Sequence, residues 1–511
     1  MKLHTKFLAC IIPFAALLSN QAHAATFVWD GGDDGIDLGK ANNWNPNGSP
    51  VANDVLQWNG SVAGNLELSY STLNAGLNTN PGISLSVTAA QTGNLAIDGG
   101  SNPIRLNGSG ITIASGAGAF SLGNGSGTSN ITAFNGTMNL VNNSSNTATL
   151  ASDLVFSTTF SFVTTHTFGG SGNWLVNANL RSTNNGATAV TAAGTGTVTF
   201  AAANTYTGTT TIGGTGGASV IRASATGALG SGSIFIAGNE GSNRLELVGG
   251  ISLANALAVN GKGAAFGAAP AIVNVSGNNS LTGTITYNVG GVHNTIRSDA
   301  GKLTISAITH GATGNRALLF TGAGDTTVSG AISQGGATFS ITKQGAGVLT
   351  LGGTNTYTGA TTVSAGTLFA NGSLTSSVSV GSAGTIGGTG SITGNLTLDG
   401  TATLSIVDIA DALAVSGTVS FATSGFGIDN LTGINWASLD LNTPYTLLAN
   451  SSDFSSAGLD NFGIANAYDV GGGRSAYFQN GSLAVVVIPE PSAALLGAAS
   501  LVLLMRRRRQ A

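Results

Sequence analysis

Between about residues 61 and 487 the chain is a run of short apolar–polar alternations broken every few positions by Gly, Asn or Ser. Gly347-Val348-Leu349-Thr350-Leu351, Thr361-Thr362-Val363-Ser364, Ser391-Ile392-Thr393 and Asn395-Leu396-Thr397-Leu398 are representative. Period-two alternation of β-branched residues between turn formers predicts strands, and no stretch sustains the 3.6-residue period of a helix. The body is therefore expected to be all-β. Its apolar side chains are small and its strands short, which suits a narrow stacked core better than a two-sheet sandwich.

An internal repeat sharpens that reading. Gly194 to Gly214 reads GTGTVTFAAANTYTGTTTIGG and Gly345 to Ala365 reads GAGVLTLGGTNTYTGATTVSA, with ten of 21 positions identical and no gap. The shared centre is Asn204, Tyr206 and Gly208 in one unit and Asn355, Tyr357 and Gly359 in the other. Each unit is a strand, a Gly/Asn turn with one aromatic, and a second Thr-rich strand, so successive units can stack side by side and satisfy each other's backbone groups. The expected architecture is a parallel β-helix over 61–440. A Trp-rich segment (25–60) is expected to cap its start and closing strands (441–488) to cap its end.

These units resemble the autotransporter-associated β-strand repeat. Leu318 to Gly322, Thr326 to Gly330, Leu349 to Leu351, Asn355 to Gly359 and Ala365 to Leu368 fall in that family's order. Trp29-Asp30-Gly31, Asn43-Trp44-Asn45, Pro50, Asp54 and Trp58 are similar to the opening segment such proteins carry. The resemblance implies a right-handed winding. It departs from the family after Leu441, where too few residues follow to build a membrane β-barrel, so self-translocation is not expected.

Both ends carry sorting features. Lys2 and Lys6, the apolar run Phe7 to Leu18 and Ala22-His23-Ala24 have the order of a secretory signal peptide (1–24), with cleavage expected between Ala24 and Ala25. At the other end (489–511), Pro489-Glu490-Pro491 precedes an apolar stretch, Ser492 to Met505, and Arg506-Arg507-Arg508-Arg509. Fourteen helical residues would reach about 21 Å, short of a bilayer core of about 30 Å, while terminal arginines favour a cytoplasmic C-terminus. This tripartite order resembles the PEP-CTERM sorting signal. It implies a short transmembrane sorting helix, recognition by an exosortase-type membrane peptidase, cleavage near Pro489 to Pro491, and delivery to the cell surface or an exopolysaccharide matrix.

Composition narrows the function. Only 7% of the 511 residues are charged. Setting aside Glu490 from the 21 acidic residues, and Lys2, Lys6 and the four terminal arginines from the 17 basic ones, leaves 20 against 11, a net of −9 for residues 25–488. With no basic stripe, nucleic acid is not an expected partner. The single cysteine, Cys10, lies in the leader, so disulfides and Cys-ligated metals are excluded from the mature chain.

Candidate chemistry is sparse. His166, His293 and His310 are isolated, with no paired-His metal spacing. His293, Arg297, Asp299 and Lys302 are the best polar cluster; a glycan lyase or hydrolase built on a coil face is the enzymatic alternative, against the plainer role of capping exposed turns. Glycosidase chemistry calls for two carboxylates, which this region lacks. Asp30, Asp33, Asp34 and Asp37 are dense enough to suggest Ca²⁺ but do not have EF-hand spacing, and a solvated turn near the N-terminal cap is expected. Trp29, Trp44 and Trp58 are expected to close the solenoid end, with a carbohydrate-stacking platform as the competitor.

The expectation is thus an exported, non-enzymatic surface or matrix protein with no cofactor. Its partners would be signal peptidase and the secretory machinery, the exosortase, and extracellular polysaccharide. An adhesin for another cell or polymer is the third reading.

Overall fold

A computed structural model describes residues 24–490 except 70–81, 99–103, 124–130, 134–136, 152–153, 157–163, 183–187, 215–217, 239–241, 263–268, 292, 312, 423–424, 450–455 and 480–482. The alternation read from the sequence becomes strands whose side chains point in, out and in. Trp174–Val176, Ile234–Ile236 and Leu396–Leu398 each bury the flanking pair and half-expose the centre. Two inward residues per strand leave room only for a thin core, so each coil must turn a corner and stack on the next. Among the described residues the helical pieces are short 3-10 turns such as Ala41–Asn43 and Ile428–Asn430.

The result is a parallel β-solenoid with three ladders around a continuous core. In one ladder, Leu56, Leu85, Ile111, Leu140, Phe168, Ala192, Ile212, Ile236, Val259, Tyr287 and His310 are successive register partners facing inward. A second ladder runs from Leu66–Ser69 to Val419–Phe421, and a third includes Ser252–Leu253 through Leu431–Thr432. Parallel pairing starts at Thr26–Trp29 on Val55–Trp58, inside the Trp-rich block. Through the middle a coil takes 24 residues, as Thr197 N on Asn173 shows, and it contracts to 18 at Asn395 N on Ser377. In that contracted part, Thr361–Ala370 and Val378–Gly387 run ten residues each across a corner, longer than the alternation alone suggests.

Both ends of the stack are covered. At the start, Trp44–Asn45 pairs antiparallel with Thr26–Trp29, and Trp44 packs edge-on between Trp29 and Trp58 at 5.0 and 5.9 Å. All three indoles are buried, which places them in the core rather than on a binding surface. At the far end an antiparallel sheet of Pro444–Thr446, Ala484–Pro489, Arg474–Phe478 and Tyr468–Gly471 closes over Phe426 and Leu447. No helix among the described residues is long and apolar enough to cross a membrane. The residues up to His23, where a signal peptide is expected, and those from Pro491, where the sorting helix and Arg506 to Arg509 are expected to act, lie outside the described residues.

Candidate functional site

The repeat motif builds the same corner clamp twice. Asn204 Oδ1 accepts Leu180 N at 2.6 Å from the preceding coil, while its Nδ2 donates to Ala202 O and, on the following coil, to Ala228 O. Asn355 repeats this: Oδ1 accepts Ile332 N at 2.9 Å, and Nδ2 donates to Gly353 O at 2.8 Å and Ser373 O at 3.1 Å. In both units the next amide, Thr205 N or Thr356 N, returns a bond to the carbonyl of the residue that Asn caps. One side chain therefore ties three successive coils where a corner would leave backbone groups without partners.

The other motif residues complete the corner. The Tyr206 hydroxyl bonds Thr210 Oγ1 at 2.6 Å and that of Tyr357 bonds Thr361 Oγ1 at 2.7 Å, in both cases buried. Burial pushes both phenols above their usual range, partly opposed by those hydroxyl contacts. Gly208 and Gly359 lie flat on the preceding coil; a Cβ at Gly208 would collide with Thr188 O, and one at Gly359 with Phe339 O. The threonines four residues after each tyrosine are working partners that the sequence alone does not single out, although their recurrence in both units is the available signal.

The two clamps sit on different corners. Thr197–Phe200 belongs to the ladder that continues through Val220–Ala223, Arg244–Val248, Ile272–Ser276, His293–Ser298, Arg316–Thr321 and Phe339–Lys343 to Thr361–Val363. Its counterpart Val348–Leu351 lies in the neighbouring ladder, on Asp325–Val328. The motif thus encodes a strand–corner–strand unit that works at more than one corner.

The acidic loop is occupied by its own donors. Asp34 Oδ1 accepts Asp37 N, Ile36 N and Asn43 Nδ2, which, led by the Asp37 amide, hold its carboxyl well below the usual range. Lys40 reaches Asp34 at 3.0 Å and Asp33 at 3.6 Å, and Asn43 accepts Asp33 N and Gly35 N. Asp30 caps Gly32 N. Among the described residues no group of three or more His, Cys, Asp or Glu is placed to hold a metal.

The His293 cluster does not converge. His293 and Arg297 lie four residues apart on one strand, about 13 Å at the usual strand rise. Arg297 instead pairs with Asp299 at 2.9 Å on the exposed surface. Lys302 begins the strand of the next ladder, in register with Asp325.

Several titratable groups are instead buried. His166 is sealed in the core, and that burial pushes its imidazole down to about 3. His310 stacks on Phe339 at 5.0 Å, and burial, then the nearby Arg316 charge, lower it. Lys262 donates to Asn243 O and Ala237 O, and Lys343 to Gln344 O, Gly345 O and Ala365 O; burial lowers both to about 8. Glu246 is raised by burial but held lower overall by Arg222 and Arg244, at 2.6 and 2.7 Å. Carbonyl cages and matched ion pairs of this kind fasten corners and coils.

At the C-terminal boundary, Pro489 ends the last strand opposite Arg474, and Glu490 N donates to Gly473 O at 3.0 Å. At the N-terminal one, Ala24 is exposed, and Ala25 N donates to Asp54 Oδ1 at 2.8 Å.

The family model of the passenger-associated-transport-repeat matches residues 185–217 and 341–368. Those two stretches contain the two clamps, so the autotransporter-associated repeat is present on an all-β parallel solenoid. No curated protein and no solved structure shows significant similarity to the chain.

Proposed function

We propose that this is an exported, non-enzymatic structural and adhesive protein of the cell surface or exopolysaccharide matrix. The observation that carries the reading is the pair of passenger-associated-transport-repeat matches on a long solenoid with both ends of its stack covered. Such a rod, wound right-handed as the repeat resemblance implies, acts by architecture. Its polar residues lock coil to coil, and its sparsely charged Thr/Asn surface offers many weak hydrogen bonds to polysaccharide and to neighbouring rods.

Export follows from cleavage by signal peptidase between Ala24 and Ala25. Sorting follows from Pro489, Glu490 and Pro491 with the apolar stretch and Arg506 to Arg509, which an exosortase recognises and cuts. The test is the intact mass and cell fractionation of the native protein beside a variant with Pro489, Glu490 and Pro491 all changed to alanine. Loss of the residues after about Pro489, with outward movement that the variant fails to make, is expected. A tail that stays intact and membrane-bound in both chains overturns the sorting reading.

A further inference from the structure

Asp54 is a carboxylate with 2% exposure beside the first coil, and it makes no ion pair with any lysine or arginine among the described residues. Its Oδ2 accepts Val51 N at 2.7 Å, and its Oδ1 accepts Ala25 N at 2.8 Å. Ala25 is pinned on its other side as well, its carbonyl accepting Val55 N at 2.8 Å. The nitrogen facing this buried charge is thus the first atom on the C-terminal side of the Ala24–Ala25 bond, and Ala24 itself is exposed.

We infer that removal of the leader creates a buried ion pair between the new α-ammonium of Ala25 and Asp54, which locks the first coil and makes the N-terminal cap dependent on maturation. The inference rests on the cleavage position proposed above. In the hydrolysis, water adds across the amide: the C–N bond breaks, Ala24 leaves as a carboxylate, and the amide nitrogen of Ala25 takes up protons to become –NH₃⁺. Before cleavage, Asp54 holds two neutral amide donors and a buried, uncompensated charge, an arrangement that costs folding free energy. Afterwards the same nitrogen, already at hydrogen-bond distance, supplies the compensating charge, and charge-assisted bonds are roughly twice as strong as neutral ones. The uncleaved chain therefore has a looser first coil, which suits a protein that must cross a membrane before it stacks.

The test compares hydrogen exchange at the Val55 amide in the full chain beginning at Ala25 with the chain that retains Ala24, both released by a specific protease. Exchange at least tenfold slower in the Ala25 form is expected. Asp54→Asn is expected to abolish the difference, and so is acetylation of the Ala25 amine with Asp54 left in place, which keeps the test decisive if Asp54→Asn fails to fold. Forms that exchange within twofold of each other, or an acetylated chain as protected as the free one, overturn the ion pair. The mass of the protein exported with its own leader tests the cleavage position separately: a mature chain starting elsewhere overturns that reading, while the comparison of prepared chains still decides whether Asp54 pairs with an Ala25 ammonium.

Discussion

Asn355→Ala tests whether the repeat motif is a clamp. The side chain is fully buried and makes bonds to Ile332 N, Gly353 O and Ser373 O. Alanine removes all three and leaves the Ile332 amide and the Ser373 carbonyl without this partner. A bond of this kind nets about 0.5–1.5 kcal/mol, but each buried group left unsatisfied costs about 1–3 kcal/mol. Two stranded groups, one of them relieved by local relaxation, give an expected loss of about 3 kcal/mol, or about 100-fold in an opening equilibrium. Coils of a solenoid contact only their neighbours, so the loss should be local. Native-state hydrogen exchange should show Ile332 and Thr356 losing about 100-fold of their protection while Leu180 and Thr205, at the other clamp, are unchanged. Less than a threefold change at Ile332, or a loss spread evenly along the chain, refutes the clamp.

Gly359→Ala drives a Cβ into the Phe339 carbonyl oxygen, which is backbone and cannot step aside, so a loss of about 2 kcal/mol or more is expected in urea unfolding; Gly336→Ala, with open space around the new Cβ, is the neutral control. Tyr357→Phe removes one buried hydroxyl bond while Thr361 keeps its contact with Ser376 at 2.7 Å, so about 1 kcal/mol is expected from the same measurement. His166 sets the acid limit. Its folded value of about 3 lies below its unfolded value of about 6.5, so the unfolded chain binds the proton first, and stability falls by about 1.4 kcal/mol per pH unit from about pH 6.5 towards 3. Urea midpoints at pH 7, 5 and 4 should show that slope, and His166→Met should flatten it. Lys262 and Lys343 act at the other end: lowered to about 8 in the fold, they make stability rise between about pH 8 and 10.5, a slope that urea midpoints at the two limits should show and that Lys343→Met should reduce.

The fold was legible because its rule is local. Alternation such as Leu396-Thr397-Leu398 states which side chains face the core, and the Gly/Asn breaks state where the coil turns. The contraction from 24 to 18 residues per coil was less visible, since Thr361–Ala370 and Val378–Gly387 carry the same texture as shorter strands and differ only in pairing across a corner. Chemistry was legible in part. Asn, Tyr and Gly of the repeat were marked by recurrence and Asp54 by its place in the opening segment, whereas Lys262 and Lys343 stand outside any such pattern; the stacking of distant coils brings the Ala25 amide to Asp54, Asn243 O to Lys262 and Ala365 O to Lys343. His293 to Lys302 illustrates the converse: closeness in sequence along an extended strand keeps side chains apart.

The spacing of the two repeat units carries the last step. If the motif specified a face of the rod, its copies would be separated by whole coils, yet the first strand of one lies on the ladder that holds the second strand of the other. What recurs is therefore a solution to a corner: an amide that caps the coil before and reaches the coil after, a phenol sealed by a threonine four residues on, and a glycine where two backbones touch. Any corner with those needs can use it, which explains how the body between the units keeps the same fold with only a diffuse trace of the motif. Asn255, outside both units, meets its corner by a different arrangement, its Nδ2 facing Leu229 O, Gly230 O and Gly232 O of the preceding coil.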